Sequence, residues 1–215
     1  GLRTDCRMFL TYLALQPAGA TRNQIIDALW PNLPEPRARQ RLYQAATDAR
    51  GHFGDAFVAD KEQYSLDRRC VDIDIDILDR LTKRAEADGG DCPEMVEQAL
   101  SLIRGEPLAG LDAPWADGEA RRLRAIIVEL YGCAAHLRLG RGDAAGALEA
   151  AERGITLDEL NEDIWRVAIE AEATLGLRDA LISRYETLTR TLDDRLGLAP
   201  DQETRQLYLQ LLAQQ

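Results

Sequence analysis

The stretch Thr21–Arg50, TRNQIIDALWPNLPEPRARQRLYQAATDAR, constrains this chain more than any other, because it sets a helix start, a helix stop and a second start in quick succession. Thr21 is a good N-cap and Gln24 stands three residues later, so the spacing predicts a capping box. Ile25, Ile26, Leu29 and Trp30 then recur at helical spacing, which predicts a buried face ending in a buried Trp30. Pro31 stops the helix, Pro34 and Pro36 are expected to hold the connection extended, and Arg37 is expected to start a second helix reaching about Arg50. Two helices joined by such a turn have the shape of the helix-turn-helix in winged-helix domains.

At about 100° per residue, Leu42, Ala45, Ala46, Ala49 and Phe53 cluster on one side of the second helix and should face a core. Arg37, Gln40, Gln44, Thr47 and Gly51 fall opposite. Glutamine and arginine can each make paired hydrogen bonds to base edges, so this outward side suits a DNA major groove. An ordinary solvated helix face has the same periodicity, and periodicity alone favours it. Arg37, Arg39, Arg41 and Arg50 give the helix a modest basic footprint; Arg41 and Arg50 are placed to grip DNA backbone.

Upstream, residues 3–16 read as a helix with Met8, Phe9, Tyr12, Leu13 and Leu15 as its apolar positions. The pattern begins directly after Gly1, as expected of a piece cut from a longer protein. Gly51–Gly54 reads as a breaker. Phe57–Ala59 and Tyr64–Leu66 read as a short hairpin, the expected place for a wing, with Lys61 at its tip in reach of a phosphate. Val71–Ile75 alternates with period two and reads as an extended exit segment. Asp72, Asp74 and Asp76 lack the glycine and glutamate of a calcium loop and read as a solvated face.

From about residue 76 the pattern is helical. Helices are expected near 76–88, 93–104, 115–139, 143–156, 161–175, 178–195 and 201–212. Gly142 and Gly176 are 34 residues apart; on that offset Ala147 falls on Leu181, Ala151 on Tyr185 and Tyr131 on Trp165. That period is the tetratricopeptide period, in which helix pairs stack into a curved array with a concave binding face. Trp165 should therefore be buried. The first helix of each pair would line the concave face, offering Glu129, Gly132 and His136 from one pair and Asp163, Arg166 and Glu170 from the next. A basic or amphipathic protein segment, or a second copy of the chain as a homodimer, would suit that acidic surface.

Charge separates the two parts. Residues 1–75 hold 10 basic and 10 acidic side chains, while the rest hold 16 and 27 and carry the whole net charge of −11. The acidic part will not bind nucleic acid by itself. Apolar residues make up 46%, enough for a real core. No apolar run approaches the roughly 18 residues that span a bilayer, so no membrane contact is expected. Cys6, Cys70, Cys92 and Cys133 have no paired spacing, and with His52 and His136 they form no metal-ligand pattern. Reduced, mostly buried cysteines and a cytoplasmic setting are expected. No phosphate loop or nucleophile elbow occurs, Asp193-Asp194 beside Arg195 reads as helix-end charge, and an enzyme or a bound cofactor is not expected.

With these motifs in place, ATRNQIIDALWPNLPEPRARQRLYQA resembles the OmpR-like helix-turn-helix of the Streptomyces antibiotic regulatory protein type. LIRGEPLAGLDAPWADGEARRLR, RGDAAGALEAAERGITLDELNEDIWR and RYETLTRTLDDRLGLAPDQETRQLY resemble the bacterial transcriptional activator domain that follows it. The resemblance covers nearly the whole chain. It implies a mainly α fold: a partial winged helix over 1–75, then an all-α tetratricopeptide-like domain over 76–215 for dimerisation or sensing. It implies a regulator module. A protein-interaction module that no longer reads DNA and a small-molecule-sensing scaffold stay open beside that reading. The chain departs from the family pattern in three ways. The small sheet before the first helix is expected to be absent, the wing is short, and Thr47-Asp48-Ala49-Arg50-Gly51 stands where the family has a run like S-R-L-R-R.

Overall fold

The computed structural model describes residues 1–61, 63–87, 93–111 and 113–214. The chain forms two compact units, one of Gly1–Arg80 with Glu106–Arg121, the other of Leu81–Gly105 with Arg122–Gln215. The sequence pattern groups Glu106–Arg121 with the second part; its packing is with the first.

The first unit opens with α1 (Thr4–Ala14), β1 (Ala20–Thr21), α2 (Arg22–Leu29) and α3 (Glu35–Phe53). A single 3-10 turn leads to β2 (Phe57–Asp60) and β3 (Gln63–Leu66). The three strands form an antiparallel sheet in the order β1-β3-β2. Thr21 serves both elements: it pairs with Gln63 in the sheet and caps α2, its side chain accepting the Gln24 N–H while Gln24 accepts the Thr21 N–H. Cys6, Phe9, Leu13, Ile25, Trp30, Leu42, Phe57 and Leu66 fill the core. Phe9 meets Phe57 and Tyr64 edge-on at 5.8 and 5.7 Å between ring centroids. Edge-to-face rings at this spacing are favourable beyond their burial.

Three expectations for this unit are corrected. Pro36 does not extend the α2–α3 connection; it lies in the first turn of α3, where its missing N–H leaves no helical bond unmade. Gly51 does not break α3, which runs on to Phe53 and stops at Gly54. Asp74 and Ile75 belong to α4 (Asp74–Ala87) and not to an extended segment. Asp74 and Asp76 sit in the first turn, where carboxylates are favoured by the helix dipole, and Asp76 pairs with Arg68.

The second unit takes in α5 (Pro93–Ser101), most of α6 (Pro114–Gly140), and α7 (Ala144–Leu157), α8 (Glu162–Thr174), α9 (Arg178–Leu196) and α10 (Gln202–Gln214). The turn between α6 and α7 recurs between α8 and α9. Gly142 and Gly176 both have left-handed backbones, with φ of 81° and 72°. The Asp143 N–H reaches the Arg138 carbonyl and the Leu177 N–H the Glu172 carbonyl, both at 2.9 Å. Each is the six-residue closure of a Schellman turn, which needs a glycine-like backbone at the helix end. Ala147 and Leu181 are both fully buried, and Tyr131 and Trp165 are both buried. The helical pairs thus repeat in backbone geometry and in burial at these positions, whereas Ala151 is fully buried and Tyr185 only partly.

The cysteines are not mostly buried: Cys6 is, Cys70 and Cys133 are exposed, and Cys92 lies outside the described residues. Among the described residues no helix is long and apolar enough to cross a membrane, and no cluster of His, Cys, Asp and Glu could hold a metal.

Candidate nucleic-acid interface and inner face of the helical repeat

The buried stripe of α3 is Ala38, Leu42, Ala45 and Ala49, with Ala46 and Phe53 only partly covered. It packs α3 against the core, and what remains faces out. Arg37, Gln40, Arg41, Gln44, Thr47 and Arg50 are all exposed along one helix, and Lys61 is exposed at the tip of the β2–β3 hairpin. The side chains of Arg37, Gln40 and Gln44 have no hydrogen-bond partner among the described residues.

The other members are tied within the unit. Arg41 lies 3.6 Å from Asp5 of α1, and Asp48 lies 3.6 Å from Arg3. These two pairs place an acid beside Arg41 and a cation beside Asp48. Both are solvent-screened and contribute little to stability. The Arg50 guanidinium sits over the Phe57 ring, 5.8 Å from its centroid, which orients it beside the first strand of the wing. The Thr47 hydroxyl donates to the Tyr43 carbonyl at 2.8 Å. At the wing tip Lys61 has a φ of 40°, and its carbonyl accepts from Arg22 at 3.3 Å.

Sequence reasoning passed over two residues here. Arg22, at the start of α2, is brought to the wing tip by the β1–β3 pairing, which a two-residue strand does not announce. Tyr43 is 74% exposed on the outward side of α3. Its signal was available: a large aromatic residue off the core stripe of an amphipathic helix.

On the helical repeat, the face shared by α6, α8 and α10 brings together most of the residues assigned to it. Glu129, His136 and Asp163 are exposed. His136 Nδ1 lies 3.0 Å from the Gly132 carbonyl, so that nitrogen is the donor, and Nε2 lies 3.9 Å from Asp163. Gly132 is not on the surface; it is buried against Ile164. Arg166 is no open contact either. Its side chain is 16% exposed and bonds Asp163 at 3.2 Å, and Asp201 and Thr204 of the α10 end at 3.1 Å each. Asp201 accepts the Thr204 N–H at 2.7 Å, and that bond, with Arg166, holds its carboxyl below the usual range. Arg166 thus ties α10 to α8, and the groups left accessible are mainly carboxylates, including Glu203 at the start of α10.

Glu170 is half-buried, and burial pushes its carboxyl up against the pull of His136 and Arg166. A raised folded value means the native chain binds this proton more tightly than the unfolded chain, so ionised Glu170 costs stability at neutral pH and the cost disappears in acid. Glu170→Gln is accordingly expected to raise the melting temperature at pH 7 and leave it unchanged at pH 3.5, read by circular dichroism. Equal effects at both pH values would refute it.

A winged helix-turn-helix and a tetratricopeptide-like helical repeat in one chain define a regulator-type architecture. The bacterial transcriptional activator domain model matches residues 73–212, and the chain belongs to that family. It is 26% identical over 213 residues to the regulatory protein AfsR of Streptomyces griseus, covering 96% of this chain and 22% of that protein. It is 25% identical over 216 residues to the transcriptional regulatory protein MoaR1 of Mycobacterium bovis, covering 90% of this chain and 69% of the relative. Among solved structures it is similar to EmbR of Mycobacterium tuberculosis in complex with a low affinity phosphopeptide. The TM-score is 0.78 at 20% identity, over 99% of this chain and 60% of that one. At that identity the likeness is one of fold.

Proposed function

We propose that this chain is a DNA-contacting and partner-binding module of a bacterial transcriptional regulator, working in the cytoplasm. The observation that carries the reading is the outward side of α3, where Arg37, Gln40 and Gln44 stand exposed and uncommitted on a helix held by a winged-helix core. Gln40 and Gln44 would read base edges. Arg37 and Arg50 would contact base or phosphate, and Lys61 with Arg22 would touch backbone across the wing. Asp48 has Arg3 3.6 Å away, which would offset part of its repulsion. The acidic inner face of the helical repeat, with Glu129, His136 and Asp163 exposed and Glu170 half-buried beside them, would take a basic segment of a protein partner or of a second copy in a homodimer.

Fluorescence anisotropy with labelled duplexes over a salt series tests the DNA contact. Each phosphate contact contributes roughly 0.9 to the slope of log affinity against log salt, so Arg50→Ala should reduce the slope by about one and weaken binding to all sequences alike. Gln44→Ala should weaken binding only to duplexes enriched by selection. Failure of the parent chain to bind any duplex at low salt would remove the reading.

A further inference from the structure

Resting on that proposed DNA contact, we infer that Tyr43 recognises thymine, its ring packing on the C5 methyl group of the base in the major groove. Tyr43 is the most exposed large hydrophobic side chain among the described residues, at 74%. Its phenol has no hydrogen-bond or ring partner among them. The ring is thus mostly in solvent and held by no hydrogen bond or ring contact, and it stands in the middle of the candidate reading surface. Gln40 lies three residues before it and Thr47 four after, the spacings that make neighbours on a helix.

The chemistry around it is selective. Thr47 gives its hydroxyl proton to the Tyr43 carbonyl, so it offers the outside a methyl group and an acceptor but no donor. Tyr43 and Thr47 together form an apolar patch within an otherwise polar face. Beside them, Gln40 and Gln44 have the paired donor and acceptor that match adenine N6 and N7. Adenine's partner in the duplex is thymine, whose methyl group projects into the same groove. One A·T pair thus presents what both halves of the surface would take. The thymine methyl is the apolar feature of a base pair in that groove, which fits a ring and a methyl group better than a phosphate does.

The test removes only that methyl. Duplexes are enriched from a random pool by the parent chain, and each thymine is replaced in turn by deoxyuridine. Binding by the parent should fall about fourfold at one or two positions, the effect of withdrawing one methyl group from water. Tyr43→Phe should keep the discrimination. Tyr43→Ala should bind thymine and deoxyuridine duplexes equally. The inference is overturned if the parent binds the enriched duplexes without discriminating, or if Tyr43→Ala still discriminates. It is equally overturned if Phe and Ala weaken all duplexes alike, the signature of a phenol on a phosphate. If no duplex is enriched, the DNA contact itself is absent and the inference falls with it; retained binding without discrimination rejects the inference alone.

Discussion

Replacing Arg184 by alanine is expected to lower the stability of the helical-repeat unit by about 3–5 kcal/mol, the usual effect of leaving a buried charge without its partner. Glu172 of α8 is 2% exposed, and its Oε1 accepts from Arg184 Nε of α9 at 2.7 Å. The second oxygen, Oε2, has no hydrogen-bond partner among the described residues. Burial pushes the Glu172 carboxyl up, and Arg184 pulls it down. Without the guanidinium, only burial and the nearby Glu152 act, and both favour the protonated form. Arg184 also reaches Glu152 of α7 at 2.8 Å, but Glu152 is half-exposed and that pair adds little.

The sign of the pH dependence follows from the raised folded value. A carboxyl that holds its proton more tightly when folded is a burden above its folded pKa and none below its unfolded one. The Arg184→Ala loss should therefore be largest near pH 7, shrink as pH falls through the raised folded value, and be largely gone by about pH 4. Urea titrations at both values, with an unchanged slope, give the measurement. A loss under about 1 kcal/mol at pH 7 would mean that water or another group satisfies Glu172. The paired change Glu172→Leu with Arg184→Met should be far milder than Arg184→Ala, because apolar replacement of both partners removes the desolvation penalty with the attraction.

That pair marks the boundary of what the sequence discloses. The Thr21–Gln24 capping box and the glycine turns at Gly142 and Gly176 were legible because each is fixed by residues within a few positions of one another. The 34-residue offset was legible because it repeats. Pro36 misled because proline stops a helix from within but is tolerated in its first turn. Val71–Ile75 misled because an alternating acidic run can also be the first turn of a helix, once Arg68 pairs with Asp76. Arg184 reaches Glu152 over 32 residues, and Arg166 reaches Asp201 over 35. No local pattern encodes either. Arg166 has the spacing of a groove residue; that its charge is committed to Asp163 and Asp201 is a tertiary fact. The outward face of α3 followed from periodicity, whereas Arg22 at the wing tip needed the strand pairing.

Trp165→Ala is expected to cost about 3–5 kcal/mol, as large-to-small changes at buried aromatic positions do. Trp165 is 5% exposed and clusters with Leu188 and Leu192 of α9 and with Ile155 of α7. Its indole N–H donates to the Glu159 carbonyl at 3.0 Å, so the ring also fixes the loop that enters α8. Alanine would open a cavity among three helices and leave that carbonyl without its donor. Trp165→Phe separates the two effects: it keeps most of the packing and loses the hydrogen bond, and should cost about 1 kcal/mol for the bond beyond a small volume change. Both variants are measured by urea denaturation followed by circular dichroism, since the chain has 3 tryptophans and fluorescence alone would mix the units. Tyr131 holds the matching place one repeat earlier and is 8% exposed, so Tyr131→Ala should be destabilising too. A Trp165→Ala chain with the parent's midpoint would show that the α8–α9 pair is held elsewhere, through Leu181 or the Glu172–Arg184 bond, and that the aromatic position of the repeat is coincidental.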